Sequence, residues 1–351
     1  MDSGKCLRDF GFVIGHLPAG ARNAITDVPG LRVGHATRLD GAARTGVSAV
    51  LPHGDNLYRE KVVAAQYVLN GFGKSTGLVQ VEELGTIETP IALSNTFAVG
   101  TCATALVRHA IATNPDIGRK TVTVNPVVLE CNDGFLNDIQ ALAVGEQDVA
   151  AAIASAGSDV AQGAVGAGTG MSAFGLKGGI GTASRVVSLD DRGYHLGALV
   201  LANFGRRDDL RIDGRPVPVP GGRGGPGGAD VGSICIVLAT DIPMDSRQLR
   251  RVCRRAGVGM ARVGSFMGHG SGDIVVAFTT ANRVRHDERR AVVSHAVLNE
   301  PKIDPVFRAA AETVEEAILN AMVAAPAMEG RGGTRESLAD QLRALGYGRS
   351  R

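Results

Sequence analysis

The chain has 351 residues, of which 44% are hydrophobic and 21% charged, enough for one large α/β unit or two average domains with a sizeable core. Its composition is that of a globular protein, neither disordered nor membrane-spanning, and no segment approaches the ~18 uninterrupted apolar residues of a membrane helix. A formal charge of +2 and 4% aromatic residues without tryptophan argue against nucleic acid as a partner.

Five elements are predicted in the first 203 residues. Short apolar segments, often β-branched, predict strands at residues 48–51, 122–129 and 195–203. Apolar residues at helical spacing predict helices at residues 94–113, begun by Ser94 as the N-cap, and at residues 146–156.

A glycine- and proline-rich linker follows at residues 206–232. Between Gly214 and Gly232 there are eight glycines and four prolines in nineteen residues, a composition that cannot pack a core and predicts a mobile surface loop. Because the segments on both sides end in strands that need partners, we expect one domain interrupted by this loop.

Four more elements are predicted after the linker: strands at residues 233–240 and 273–280, a helix at residues 305–325, and an arginine-rich helix between the strands. The arginines of that helix form a face that is either solvated or in contact with a polyanion or a second subunit: Arg247, Arg250, Arg251, Arg254 and Arg255. Strands and helices mix throughout, so the fold class is α/β or α+β.

Cysteine usage and the first residues predict a cytoplasmic protein. The N-terminal residues lack the long apolar run of a secretory signal. The cysteines are odd in number and widely scattered without a CxxC pair, so we expect reduced thiols and no metal or redox site: Cys6, Cys102, Cys131, Cys235 and Cys253.

The junction between the linker and the next strand has unusual chemistry. Gly232 ends the loop and Ser233 opens the apolar strand, so the serine hydroxyl could attack the preceding carbonyl. Glycine removes the Cβ that would obstruct this attack and permits a strained backbone. This attack would move the acyl group from nitrogen to oxygen and free an α-amine with a pKa of about 7.7 to 8.0. Once the ester is hydrolysed, that amine is a weak enough base to serve its own hydroxyl near neutral pH. The alternative is that Gly-Ser merely begins a strand.

Several motifs in order resemble one known family over nearly the whole chain. They are AITDVPGLRVGHAT, NGFGKSTGLVQVEELG, VLECNDGFLND, GAGTGMSAFGLKGGIGTASR, ANFGRRDDLRI, DVGSICIVLATD, GSGDIVVAFTTAN and EEAILNAMVAAPAMEGRGG. The chain thereby resembles the L-aminopeptidase/D-amidase/D-esterase family of self-processing hydrolases with an N-terminal serine, which includes the β-peptidyl aminopeptidases.

The resemblance implies a four-layer αββα sandwich like that of the ornithine acetyltransferases. It also implies self-cleavage at Gly232-Ser233 into an α-chain, residues 1–232, and a β-chain, residues 233–351, which together form one structural domain. Ser233 would be the nucleophile, and the cleaved protomers would assemble as a homotetramer.

The resemblance also gives roles to four other residues. Asn203 would donate its amide to the oxyanion, Ser271 and Asp273 would orient the hydroxyl or amine of the nucleophile, and Glu130 would hold the substrate amine. Judged from the residues alone, Asn203 could be a turn residue before Gly205, and the Ser-Gly-Asp sequence could be an ordinary turn rather than a pair on one strand face. Phe135 stands where tyrosine is expected in close relatives, which leaves rate and substrate preference open.

Three other motifs are set aside. Gly73-Lys74-Ser75 imitates the end of a phosphate-binding loop, but Val68 stands where its first glycine is required. The glycines of GAGTGMSAFGLKGG miss the dinucleotide-binding spacing and more plausibly form a turn near the active site. His269 has no partner at a spacing typical of a triad or a metal site, so neither metal nor cofactor is expected.

The sequence therefore predicts a serine aminopeptidase that removes N-terminal residues from small peptides, amides or esters through an acyl-enzyme. An acyltransferase on the same fold and a catalytically decayed relative marked by Phe135 are the alternatives. The preferences for α- or β-amino and for L or D substrates stay open.

Overall fold

The structure is a computed structural model that describes residues 6–218 and 231–348, with only the backbone of Val231 described. Its longer strands form two sheets, and the α-helices lie outside them. The strands are β1 (Arg32–Arg38), β2 (Thr45–Leu51), β3 (Glu60–Asn70), β4 (Thr86–Ile87), β5 (Ile91–Asn95), β6 (Val127–Cys131), β7 (Ser172–Ala173), β8 (Leu176–Lys177), β9 (Gly179–Leu189), β10 (Arg192–Asn203), β11 (Arg211–Ile212), β12 (Arg215–Pro216), β13 (Val231–Thr240), β14 (Gly270–Arg285), β15 (Met328–Gly330) and β16 (Gly333–Arg335). The helices are α1 (Leu78–Leu84), α2 (Val99–Thr113), α3 (Glu146–Ala154), α4 (Ser246–Cys253), α5 (Ala256–Arg262), α6 (Asp304–Val323) and α7 (Leu338–Ala344).

The two sheets pack face to face. One sheet has the strand order β1-β2-β5-β6, and the other has the order β4-β3-β14-β13-β10-β9. Alternate side chains of both sheets meet in one apolar cluster, with Leu93 and Leu129 from the first sheet and Leu201 and Val237 from the second. This cluster is the interior between the sheets.

Helices cover the outer face of each sheet. Leu106 of α2 and Val149 of α3 pack on the four-stranded sheet in a second cluster. A third cluster joins the other face of the six-stranded sheet to α4, α5, α6 and α7 through residues such as Leu249 and Ile318. The order of layers is helix, sheet, sheet, helix, which confirms the predicted α/β fold and its αββα arrangement.

The element boundaries correct the sequence prediction in three places. The helix predicted at residues 94–113 is α2 and begins at Val99. The turn before it is capped by Asn95, whose Oδ1 accepts from the amides of Phe97 and Ala98, so Ser94 as the cap was wrong. The strand predicted at residues 122–129 is β6, at Val127–Cys131. The arginine-rich helix is two helices, α4 and α5, separated at residues 254–255.

Several arginines of the predicted solvated face contact other residues of this chain. Arg247 and Arg251 both form ion pairs with Glu300, and the Arg255 guanidinium lies 3.7 Å from the ring centroid of Phe307. Arg250 pairs with Glu82 of α1. These contacts join α4 and α5 to their neighbours.

The predicted linker begins later than residue 206. Residues 207–209 form a short 3₁₀ helix, and β11 pairs with β12 in a small hairpin. Leu210, Ile212 and Val217 are buried in the outer cluster of the six-stranded sheet, because apolar side chains gain free energy on leaving water. Residues 219–230 of the predicted loop lie outside the described residues.

No helix in the described ranges is long and apolar enough to cross a membrane. Within the same ranges, no group of three or more His, Cys, Asp or Glu side chains is arranged to hold a metal ion.

Candidate active site

A cleft of about 510 Å³ opens at one end of the two sheets, where β6, β10 and β13 carry polar residues at their ends. Its walls bring together five residues that the sequence singled out from widely separated segments: Glu130, Phe135, Asn203, Gly232 and Ser233. The other two predicted residues, Ser271 and Asp273, lie on β14 next to the cleft but not on its wall.

Ser233 lies between two strands in the six-stranded sheet. It is level with Asn203 of the antiparallel strand β10 and with Gly272 of the parallel strand β14. The serine is only 6% exposed. A Cβ on Gly272 would lie 3.2 Å from Ser233 Oγ and 2.1 Å from the carbonyl oxygen of Phe72, so only glycine fits beside the hydroxyl.

Gly232 occupies an equally tight position. A Cβ there would lie 2.2 Å from the carbonyl oxygen of Asn203 and 2.8 Å from the Cα of Phe204. Because Gly232 is within the extended strand β13, the requirement for glycine comes from this close approach of β10. The sequence prediction of a strained backbone at Gly232 is therefore not needed to explain the glycine.

Asn203 is the last residue of β10, so it is not a turn residue. Its Oδ1 accepts a hydrogen bond from the amide of Ser172 at 2.8 Å, and its Nδ2 donates to the carbonyl oxygen of Asn132 at 2.9 Å. An amide nitrogen carries two hydrogens, so this Nδ2 has a second one to donate. The two bonds fix the amide of Asn203, which is level with Ser233 on the neighbouring strand.

Ser271 and Asp273 form a buried pair, as the two-residue spacing predicted. Ser271 Oγ donates to Asp273 Oδ1 at 2.6 Å. Because side chains alternate along a strand, the pair lies on the same face of the sheet as Val275, the face that the helices cover. Ser233 lies on the opposite face of the sheet, together with Cys235. Since Ser271 is level with Gly232, the pair lies behind the Gly232-Ser233 backbone and away from the Ser233 hydroxyl.

Glu130 is a buried carboxylate near the end of β6. Oε1 accepts from the backbone amide of Lys74 at 2.8 Å, and Oε2 accepts from the hydroxyl of Thr96. Among the described cations, none forms an ion pair with this carboxylate. A charged group taken out of water needs compensation, and a cationic amine bound in the cleft would supply it.

Two buried ionisable side chains support the loops behind the cleft. Asp133 accepts from Asn137 Nδ2 at 3.0 Å, and burial raises the pKa of Asp133 to about 6. Lys177 Nζ donates to three backbone carbonyls at 2.8 to 3.0 Å, and burial lowers the pKa of Lys177 to about 7. Lys177 thereby holds the turn that carries Ser172, inside the glycine-rich segment that the sequence placed near the active site.

The sequence missed several residues of the cleft wall. The hairpin β15–β16 supplies Arg331 at its turn and Arg335 at its end, and Lys74 comes from the segment that only imitated a phosphate-binding loop. Phe72, Thr96, Asn132 and Ser172 complete the polar and aromatic lining. The signal was present, because NGFGKS and AMEGRGG belong to the motifs that carry the family resemblance, but no property of the single residues distinguished them.

Phe135 lies on the cleft wall as a platform for a cation. The Arg335 guanidinium carbon is 3.4 Å from the centroid of the Phe135 ring, within the range of a cation–π interaction. The hairpin reaches this position because Gly332 donates its amide to the carbonyl oxygen of Phe135 at 2.7 Å. A Cβ on Gly332 would itself lie 2.7 Å from that oxygen, so glycine permits the close approach.

Comparison with known families identifies the family of the chain. Residues 23–336 match the model of peptidase family S58. The chain is 40% identical to the β-peptidyl aminopeptidase BapA of Sphingosinicella microcystinivorans over 94% of this chain and 88% of that protein.

Solved structures give the same result. The PH0078 protein from Pyrococcus horikoshii OT3 superposes with a TM-score of 0.91 at 47% identity, covering 98% of this chain and 100% of that one. The L-aminopeptidase D-Ala-esterase/amidase from Ochrobactrum anthropi, a prototype of the serine aminopeptidases with a variant of the Ntn hydrolase fold, superposes with a TM-score of 0.90 at 38% identity over 97% of both chains.

Proposed function

This chain belongs to peptidase family S58, and we propose that it is a serine aminopeptidase that cleaves itself between Gly232 and Ser233 and then uses Ser233 as its nucleophile. The observation that carries the proposal is one cleft that contains a buried serine on a central strand and a buried carboxylate without a cationic partner in the described ranges. The family assignment and the aminopeptidase relatives make the chain a hydrolase.

The first step is cleavage of the chain itself. Ser233 Oγ attacks the carbonyl carbon of Gly232, the peptide nitrogen leaves with a proton, and water hydrolyses the resulting ester to a Gly232 carboxylate and a free Ser233 hydroxyl. The products are residues 1–232 and 233–351. They stay in one structural domain because β13 of the second chain lies between β10 of the first and its own β14.

The new α-amine of Ser233 then acts as a base for its own hydroxyl. Near neutral pH a terminal amine is partly unprotonated, since its ordinary pKa is about 7.7 to 8.0. Ser271 and Asp273 are assigned to this role because their face of β14 is opposite to the hydroxyl, which leaves the amine as the group that they can act on. Their effect is therefore on the amine.

Substrate hydrolysis follows through an acyl-enzyme. Glu130 binds the substrate amine, and the free hydrogen of Asn203 Nδ2 donates to the oxyanion, a contact worth about 3 to 4 kcal/mol in a preorganised site. The α-ammonium of Ser233 protonates the leaving amine, and water then releases the acyl group. The substrates are small peptides, amides or esters with a free N-terminal amine, including β-amino residues.

We further propose that the cleaved protomers form a homotetramer in the cytoplasm. The family resemblance supports the tetramer, and the location is supported by Cys131 and Cys235, whose sulfurs lie 3.8 Å apart without a disulfide. Light scattering on the purified protein should give four times 36.2 kDa.

Hydrolysis of a matched substrate pair tests the activity. L-alanine and β-alanine p-nitroanilides should be hydrolysed, and their N-acetyl forms should not, because Glu130 requires a cationic amine. Ser233→Ala should abolish hydrolysis. Transfer of the acyl group to an added amine in preference to water would support the acyltransferase instead, and a wild-type protein inactive on all substrates would refute the proposal.

A further inference from the structure

The cleft carries an excess of positive charge that the proposed chemistry does not use. Its described walls hold three cationic side chains, Lys74, Arg331 and Arg335, and one carboxylate, Glu130. No acidic side chain in the described ranges forms an ion pair with any of the three cations. A cleft with low-dielectric walls focuses the electric field of such charges, and this field attracts anionic ligands.

Arg335 is held in a fixed orientation. Its Nε donates to Ser172 Oγ at 3.1 Å, and its guanidinium carbon lies 3.4 Å from the centroid of the Phe135 ring. Neither of its terminal nitrogens forms a hydrogen bond with another described residue. A guanidinium fixed in this way presents two parallel N–H groups, which match the two oxygens of a carboxylate.

Arg331 lies on the same hairpin, at the turn between β15 and β16. Its backbone amide donates to the carbonyl oxygen of Leu136 at 3.0 Å, and its Nη2 lies 3.4 Å from the carbonyl oxygen of Gly134. The side chain is exposed at the rim of the cleft. Both arginines therefore stand on a hairpin that is fastened to the loop at residues 134–136.

Arg335 and Glu130 are held by different neighbours on the cleft wall. Ser172, which accepts from Arg335, also donates its backbone amide to Asn203, so Arg335 is connected to the oxyanion side of the nucleophile. Glu130 is instead held by Lys74 and Thr96. If Glu130 takes the substrate amine and Asn203 the carbonyl oxygen, the two arginines of the wall are left to contact the group that leaves.

We propose that Arg331 and Arg335 bind a carboxylate on the leaving group, so that the enzyme prefers short peptides with a free C-terminus over the corresponding amides. This inference rests on the proposed aminopeptidase function. It assigns the two arginines to substrate specificity, with no part in bond breaking.

The test compares dipeptides that differ only at the C-terminus. Ala-Leu and β-alanyl-Leu are each offered as the free acid and as the C-terminal amide, and kcat/KM is measured for both. The acid should be favoured by about tenfold, mainly through KM, since one charge-assisted contact in a partly exposed site is of this size. The preference should shrink with added salt.

Two variants and a control assign the preference to the arginines. Arg331→Gln and Arg335→Gln should reduce the ratio of kcat/KM for the acid to kcat/KM for the amide, and the remaining hydrolysis of the amide shows that the variants fold. Arg119→Gln, at an exposed arginine outside the cleft, should keep the wild-type preference.

Two results would overturn the inference. Equal kcat/KM for acid and amide in the wild type would refute carboxylate recognition while leaving the aminopeptidase function intact. Equal losses on both substrates in the arginine variants would do the same. If neither acid nor amide is hydrolysed at all, the proposed function fails and the inference with it.

Discussion

Replacing Gly232 with alanine perturbs the proposed scissile bond with a single methyl group. That Cβ would lie 2.2 Å from the carbonyl oxygen of Asn203, whereas ordinary contacts begin at 3.4 Å, so the two strands must separate by 1.2 Å at this point. Forced separation of packed backbone costs about 1 to 3 kcal/mol of stability. It also moves the attacked carbonyl relative to Ser233 Oγ.

The expected effect on self-cleavage is large, because a 1 Å misplacement of reacting groups can slow a reaction about 100-fold. Cell-free translation followed by denaturing electrophoresis gives the fraction of full-length chain against time. Gly100→Ala is the matched control, since Gly100 lies on the exposed side of α2 with no atom within 4 Å of its added Cβ. If the Gly232→Ala chain is cleaved at the wild-type rate and its unfolding temperature is unchanged, the close approach of β10 does not require glycine at this position.

Three further variants test other parts of the site. Glu130→Gln keeps the shape of the side chain but removes its charge, so KM for amine substrates should rise about 10- to 100-fold in steady-state kinetics; an unchanged KM would contradict amine binding there. Asn203→Ala should lower kcat about 100- to 1000-fold, and a loss below tenfold would exclude Asn203 as an important oxyanion donor. Burial raises the pKa of Asp133 to about 6, so its contribution to stability is present below about pH 4 and is lost as the pH rises to 6. The free energy of unfolding in urea of Asp133→Asn should therefore rise, relative to that of wild type, by up to about 3 kcal/mol between pH 4 and pH 7. A difference in unfolding free energy that does not change with pH would be inconsistent with a buried protonated Asp133.

The strands that carry the proposed catalytic residues were predictable because their signals are local. The apolar run after Ser233 and the two-residue spacing of Ser271 and Asp273 report directly on strand alternation. Both features hold in the structure. What alternation alone did not reveal is which face of β14 the pair occupies, since that depends on the register with β13.

Other features depend on contacts between distant segments. Residues 206–218 have a linker-like composition, yet Leu210 and Ile212 find apolar partners in the outer cluster of the six-stranded sheet. The two arginines of the cleft lie about 100 residues after the nucleophile in an ordinary-looking hairpin, and only its backbone contacts with residues 135–136 bring them to the site. Such pairings have no local sequence signature.

The central claim is that Ser233 becomes a new N-terminus through its own hydroxyl. Intact-mass analysis of purified wild type beside Ser233→Ala tests it most directly. Wild type should give two fragments, residues 1–232 and 233–351, the second with a free α-amine on serine, and the variant should give one uncut chain. A full-length wild-type chain, or a Ser233→Ala chain cut at the same bond, would contradict it.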